Sequence, residues 1–338
     1  MNKSNPPLIR LAHPLAFAAF LEELGAPVGS YFRQHSLPTL CNDPNVFVPL
    51  GRAWGLFGDA ARHEGADLAW HVGKYIGDKS LSAGLSDHFR TAPTLYKALQ
   101  TMSRLISSES SHLRMGLIEG RDHVLFYTSG YFNLKDEHGF SGSQAYQLEV
   151  LTAFIRHFTG TDWVPPRLGF CGSTVPEVVE AHFPDCRICI EQPFSYIAIP
   201  RSDLHLKSVV SPDARIEPAA LLLTAELNFA ETLALLIKPY LSEGYPSLRF
   251  AASLADTSVR TLLRRLSECG TSYQALIDEL RFKLARDLLL ESDTLIGDIA
   301  VATGIRDKGN FARMFRRVGG LSPREFRKAQ NETQSKRR

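Results

Sequence analysis

Along residues 14–100 the apolar positions recur at intervals of three and four. Phe17, Phe20, Leu21 and Leu24 form one such set, Trp54, Phe57, Ala60 and Ala61 a second, and Leu95, Ala98, Leu99 and Met102 a third. That spacing lays one apolar stripe along a helix and predicts several short helices. The period then falls to two over residues 112–119 and 122–129, with Gly120 and Arg121 between them, which predicts a β-hairpin. Residues 144–158 return to the helical period. The short runs 167–171, 187–191 and 195–200, separated by Gly, Pro and Asp, read as strands. The front of the chain is therefore expected to be an α+β domain.

Periodicity lapses after residue 205, where Ser211, Pro212, Asp213 and Pro218 cluster, and resumes as purely helical from residue 219. We expect a sensing or dimerisation domain over 1–205, a linker over 206–228, an all-α domain over 229–330 and a basic tail over 331–338. Within the all-α part, residues 272–290 predict one long helix that buries Leu276, Ile277, Leu280, Leu284 and Leu288. Its polar side is expected to carry Arg281, Lys283 and Arg286.

Two domains are also what 338 residues with 44% hydrophobic content imply. Net charge is only +2, but its distribution is uneven. Residues 229–338 hold 19 Lys and Arg against 13 Asp and Glu, whereas the remainder holds 19 against 23. A basic rear domain suits contact with phosphates. The apolar run 15–21 is too short to span a bilayer and has no cleavage pattern after it, so a cytoplasmic protein without membrane attachment is expected. Five scattered cysteines argue for reduced thiols.

The most informative feature is an internal quasi-repeat. Residues 254–270 superpose on 303–319 so that Leu262 matches Phe311, Arg264 matches Arg313, Leu266 matches Phe315 and Gly270 matches Gly319. Each copy has a short apolar helix, a tight polar turn and a second helix. Such a second helix needs one apolar side to hold it on the first and an opposite side with donors for base edges and phosphates. Leu262 with Leu266, and Phe311 with Phe315, supply the first. Arg260 with Arg264, and Lys308 with Arg313, supply the second. Arginine bonds guanine O6 and N7 in a bidentate manner, which singles out Arg264 and Arg313 as base readers. Ser258 and Asp307 are placed to cap the two second helices. Arg265, Arg316 and Arg317 are candidate phosphate contacts.

Asp298-Ile-Ala-x-x-x-Gly304, Asn310-Phe-x-Arg-x-Phe-Arg-Arg317 and Gly320-Leu-Ser-Pro-Arg-Glu-Phe-Arg327 together resemble the AraC-type (AraC/XylS) DNA-binding domain. Ser258-Val-Arg-Thr-Leu-x-Arg-Arg-Leu266, with Gly270-Thr-Ser, resembles its first half. The resemblance covers about a hundred residues. It implies base contacts from Arg260, Leu263 and Arg264 in the first reader and from Lys308, Gly309 and Arg313 in the second, with the two helix-turn-helix units joined by a long helix. It also implies a transcriptional regulator, an activator, with promoter DNA and RNA polymerase as partners. Departures from the pattern are Asp256 at the first turn glycine, Ile305 after Gly304, and Val318-Gly319-Gly320. Asp tolerates left-handed geometry, so the first turn is expected to survive.

The front half resembles the arabinose-binding-type N-terminal domain, through Thr94-Leu-x-x-Ala-Leu99, Arg104-Leu105, the 122–127 strand, the Arg156 region, and Phe183-Pro-x-Cys186 leading to Pro193-Phe194 and Leu204. This resemblance implies a small-molecule effector of the amino-acid or fatty-acid class, or a homodimer. No residue is assigned to the effector. If the front binds an apolar ligand, a pocket between the early helices and the sheet, lined by residues such as Phe126, Tyr127 and Phe170, is expected.

Other chemistry finds little support. Cys186-Arg-Ile-Cys189 has metal or redox spacing but sits in a predicted strand, where residues three apart face opposite sides, and no second ligand pair accompanies it. Gly169-Phe-Cys171-Gly-Ser173 hints at a nucleophile elbow but lacks the final glycine, which leaves an acyl-transfer enzyme as a weaker alternative. No nucleotide, calcium or metal motif is present, so neither a cofactor nor an enzymatic activity is expected. An architectural DNA binder with an inert front domain is the remaining alternative.

Overall fold

A computed structural model describes residues 5–79, 85, 89, 91–130, 139–175, 177–208, 227–291 and 294–335. The chain divides into two compact units. One comprises Pro7–Thr39 and Asp43–Glu226. The other comprises Leu227–Arg338 with Met1–Pro6 and Leu40–Asn42. Residues 209–226, most of the expected linker, and 336–338 of the expected tail lie outside the described residues.

The larger unit is mixed α/β. It contains β1 (Leu8–Arg10), α1 (Ala12–Glu23), α2 (Val28–Gln34), β2 (Phe47–Pro49), α3 (Leu50–Glu64), α4 (Leu68–Lys79) and α5 (Leu95–Leu105). It continues with β3 (Arg114–Glu119), β4 (His123–Ser129), α6 (Phe140–Thr159), β5 (Arg167–Gly169), α7 (Glu177–His182), β6 (Arg187–Cys189) and β7 (Ser195–Pro200). The five-stranded sheet has the order β3-β4-β7-β5-β6. Its hairpin pairs Leu117 with Phe126 and is closed by the Gly120 N–H donating to His123 O at 2.9 Å. Val124, Phe126 and Thr128 alternate inward along β4, as a period of two requires. The pairing of β1 with β2 escapes sequence reading, because three-residue strands are too short to show an alternation.

Helix α6 is the axis of this unit's core and packs against α4. The two backbones approach closely at Gly77, where a Cβ would stand 2.3 Å from that of Ala153, and at Gly73, where one would stand 2.8 Å from Tyr146 O. Phe126 and Phe170 are fully buried in the core, but neither lines the apolar cavity that opens among Trp54, Phe57, Met102 and Phe154. Phe126, Tyr127 and Phe170 are thus not its lining, because a period of two shows which side of a strand is inward and not where packing leaves space. Burial pushes the Cys186 thiol up to about 11, so it stays protonated and unreactive at neutral pH.

The smaller unit is helical. It consists of α8 (Phe229–Ile237), a 3-10 turn (Lys238–Glu243), α9 (Leu248–Leu254), α10 (Val259–Glu268), α11 (Tyr273–Glu291), α12 (Ile296–Ala302), α13 (Lys308–Gly319) and α14 (Pro323–Ser335). A capping box starts α8: Asn228 accepts from Glu231 N, and Glu231 accepts from Asn228 N. Helix α8 packs on α9, α10 and α11, whereas α13 packs on α11, α12 and α14. The second group shares a core of Ala285, Leu289, Ile299, Ala300, Phe311, Met314 and Phe315, with Ile305 packed against it.

The buried stripe of α11 differs from the expected one. Tyr273, Ile277, Asp278, Arg281, Ala285 and Leu289 are buried, while Leu276, Leu280, Leu284 and Leu288 are half-buried. Arg281, expected on the polar side, is only 6% exposed. Helices lie on more than one side of α11, so its inward face is broader than an amphipathic stripe and takes in Asp278 and Arg281.

Candidate nucleic-acid interface

Each reader helix is fixed by its cap and by one buried face. Ser258 caps α10 by accepting from Thr261 N at 3.2 Å, and Asp307 caps α13 by accepting from Asn310 N at 2.6 Å. Leu262, Leu266, Phe311 and Phe315 have no exposure at all. The opposite faces present Arg260, Leu263 and Arg264 on α10, and Lys308, Gly309 and Arg313 on α13, all exposed. Leu263 is 43% exposed.

The two helix pairs are not strict copies. Asp256 and Gly304 both adopt left-handed backbone, with φ of 45° and 75°. Each follows its helix in the same way: Thr257 N donates to Ala252 O, and Ile305 N to Ala300 O. These turn residues are 48 apart, whereas the caps Ser258 and Asp307 are 49 apart, so the second turn is longer by one residue. At the far ends, the left-handed glycines are Gly270 and Gly320 rather than Gly270 and Gly319. Gly319 belongs to α13 and serves packing, since a Cβ there would lie 2.2 Å from the Phe282 ring. The superposition at one offset therefore holds within the reader helices and fails at both ends.

Arginines that look alike in sequence have different partners. Arg264 is paired with Glu268, and Arg313 with Asn310, each within its own helix. Such local pairs hold the guanidinium on the exposed face and exchange readily for another acceptor. Arg316 donates to both Glu325 oxygens at 2.9 and 2.8 Å, and Arg317 donates to Asp278 at 2.6 Å. A phosphate would have to displace those carboxylates. Arg265 departs furthest from its expected role, because its guanidinium lies 3.8 Å from the centroid of the Phe229 ring. Burial lowers its pKa, and the side chain acts as packing between α10 and α8.

Sequence reading missed the groups that hold the helices in place. Arg281 Nη2 reaches Gly244 O at 3.4 Å and Gly304 O at 3.3 Å, and its guanidinium lies 5.3 Å from the Tyr245 ring. One cation thus ties the loop before α9 to the turn before α13. Its pKa is lowered by burial, with the nearby Asp278 carboxylate opposing the shift. Nothing local in the sequence marks this role.

Glu325, by contrast, carries a readable signal, since Ser322-Pro-Arg-Glu325 is a capping box with Pro at the first helical position. Its carboxylate accepts from Ser322 N at 2.7 Å. That bond, the Ser322 hydroxyl and Arg316 hold its pKa down to about 2. Because the folded pKa is depressed, the cap is complete above the ordinary glutamate value and is lost as pH falls from there toward 2. A carboxyl NMR titration should place the midpoint of Glu325 near 2, and an ordinary midpoint would show that the cap is not formed in solution.

Among the described residues no group of three His, Cys, Asp or Glu side chains could hold a metal ion, and no helix is long and apolar enough to cross a membrane. Two short-helix, turn, reader-helix pairs with basic exposed faces define a helix-turn-helix DNA-binding region. The family model described as "Helix-turn-helix domain" matches residues 251–329.

Among curated relatives, the chain is 32% identical over 145 residues to the ornithine utilization regulator of Pseudomonas aeruginosa, covering 41% of this chain and 43% of that protein. It is 40% identical over 84 residues to the HTH-type transcriptional activator RhaS of Escherichia fergusonii, covering 25% and 28%. The chain thus spans less than half the length of these relatives. Of the solved structures, it is similar to the transcriptional regulator CdpR from Pseudomonas aeruginosa at 18% identity and a TM-score of 0.34, over 89% of this chain and 96% of that one. The rear of the chain carries a helix-turn-helix domain of the AraC/XylS type.

Proposed function

We propose that this protein is a sequence-specific DNA-binding transcriptional regulator, an activator, whose two reader helices enter successive major grooves of one promoter. The observation that carries this reading is that α10 and α13 each bury one face completely and leave Arg260, Leu263 and Arg264, or Lys308, Gly309 and Arg313, exposed on the other. The 19-residue α11 between them supplies the spacer that two readers on one face of the duplex need, with grooves about 34 Å apart. Arg264 and Arg313 read bases, Arg260 and Lys308 assist, Leu263 offers an apolar contact, and Gly309 admits close backbone approach. Arg316 and Arg317 add phosphate contacts by exchanging their carboxylate partners.

RNA polymerase is the partner through which a bound activator acts. The larger unit modulates the output, through a small molecule or by forming a homodimer, in the cytoplasm. Similarity to regulators supports this reading over an enzymatic one. A ligand of the larger unit would switch DNA binding only by preferring one arrangement of the protein.

Arg264→Ala and Arg313→Ala are each expected to weaken specific binding by about 1–3 kcal/mol and to relax base choice at their own positions. Competition assays against random DNA check this, since equal losses on both DNAs would reduce the two arginines to phosphate contacts. Genome-wide occupancy of the tagged protein should show sharp promoter peaks that vanish in the double variant. A diffuse profile insensitive to both substitutions would favour an architectural binder.

A further inference from the structure

The larger unit holds a cavity of about 50 Å³. That is room for roughly three or four groups the size of a water molecule. Most of its wall is apolar, including Trp54, Phe57, Met102 and Phe154, and its polar end brings together His13, Glu109, Ser110 and Tyr146. These four side chains come from α1, from the segment after α5, and from α6, so the cavity is built by three separate parts of the chain.

Two observations mark this end as a place for a ligand. Ser110 is 2% exposed, and its hydroxyl has no hydrogen-bond partner among the described residues. A buried hydroxyl is normally satisfied, and one that borders a cavity is satisfied by whatever fills it. Beside it, Glu109 is also 2% exposed, with Oε1 lying 3.6 Å from Arg10 Nε and Oε2 lying 3.5 Å from His13 Nε2. The other ring nitrogen of His13 is hydrogen-bonded to the Tyr146 hydroxyl at 2.9 Å. The histidine is therefore held in place by the tyrosine.

Charge decides what the ligand's polar group can be. Arg10 does not line the cavity, and its donors go to Ser108 O at 2.5 Å and Asn45 Oδ1 at 2.8 Å. Among the described residues no Lys or Arg lines the cavity, and the carboxylic side chain among them is Glu109. A carboxylate ligand would meet this carboxylate in a wall whose described residues offer no Lys or Arg, and whose His13 already faces Glu109. A donor would meet acceptors in both Glu109 and the Ser110 oxygen.

We propose that the cavity binds a small, mainly apolar molecule whose single polar end is a hydrogen-bond donor, an alcohol or a primary amine. The donor sits between Ser110 and Glu109, and the carbon chain lies against Trp54, Phe57, Met102 and Phe154. This differs from the amino-acid or fatty-acid class that sequence resemblance implies, because both of those carry a carboxylate. That the ligand then alters DNA binding rests on the regulatory reading above, whereas its binding does not.

The test uses the full chain and three probes of similar size, namely 1-butanol, n-butylamine and butyrate. Binding is followed by ligand-observed NMR and by the shift in Tm. The expected result is saturable binding of 1-butanol or n-butylamine, and none of butyrate over the same range. Ser110→Ala should weaken that binding at least fivefold while its Tm without probe is unchanged or raised, since the substitution removes an unsatisfied buried hydroxyl. Val150→Phe, which borders the cavity elsewhere, should abolish binding by filling it. The proposal is overturned if neither donor probe saturates, if butyrate binds as tightly as they do, or if Ser110→Ala binds like the parent. Saturable binding that leaves DNA affinity unchanged would uphold the site and remove only ligand control from the regulatory reading.

Discussion

Gly304→Ala is expected to cost the smaller unit about 3–5 kcal/mol, enough to abolish DNA binding at physiological temperature. Two penalties combine. The residue sits at φ 75°, where a Cβ is strained, and a Cβ there would stand 2.0 Å from Leu241 O and 2.9 Å from Gly244 O. Both obstacles are backbone atoms, so no side chain can rotate away. The matching position in the first turn provides the control. Asp256 has φ 45°, and Asp256→Gly should be neutral or stabilise by up to about 1 kcal/mol. Urea denaturation of the full chain, followed by a probe in the smaller unit, measures both. Parent-like stability of Gly304→Ala would mean that the second turn is not left-handed in solution.

Arg281→Met should destabilise the same unit by about 2–4 kcal/mol, more than any substitution among the exposed arginines. The methionine keeps most of the packing volume but leaves Gly244 O and Gly304 O without their shared donor. Asp278 is spared the full cost of losing its neighbour, because Arg317 still donates to it at 2.6 Å. A double-mutant cycle with Arg317→Ala should therefore show coupling, with the double variant worse than the sum. Arg281→Lys is expected to fall between parent and Met, because one ammonium is a compact charge without the planar fork that reaches two carbonyls. Footprinting adds a readout that stability alone does not provide. If Arg281 sets how the two helix pairs sit, protection of the two half-sites should weaken unequally or change spacing at temperatures where the variant remains folded. Uniform weakening would make Arg281 a source of stability only.

The helices of the smaller unit were legible because their determinants are local. Ser258 and Asp307 start the reader helices with bonds to residues three ahead, and Leu262, Leu266, Phe311 and Phe315 mark the inward faces by their spacing of four. The hairpin of the larger unit was legible for the same reason, its alternation spanning six pairs. Legibility failed where the partner lies far along the chain. Arg265, Arg316 and Arg317 read alike as exposed basic residues, yet the first stacks on Phe229 and the other two pair with Glu325 and Asp278. The quasi-repeat misled in one respect. Similar reader helices concealed turns and C-terminal ends of different length, because insertions are tolerated where the chain leaves a helix.

The sequence by itself determined where the two reader helices and the β-hairpin lie, which faces of α10 and α13 turn inward, and that Arg260, Arg264, Lys308 and Arg313 remain outside. Those properties follow from periods of 3.6 and two and from caps that bond within one turn. Only the tertiary structure decided that Arg281 is an internal clamp, that Gly304 tolerates no side chain while Asp256 does, and that the cavity opens beside Ser110 and Glu109. Each of these depends on groups brought together across tens of residues, where close packing and the need to satisfy buried polar atoms select the partner, and no local pattern records that selection.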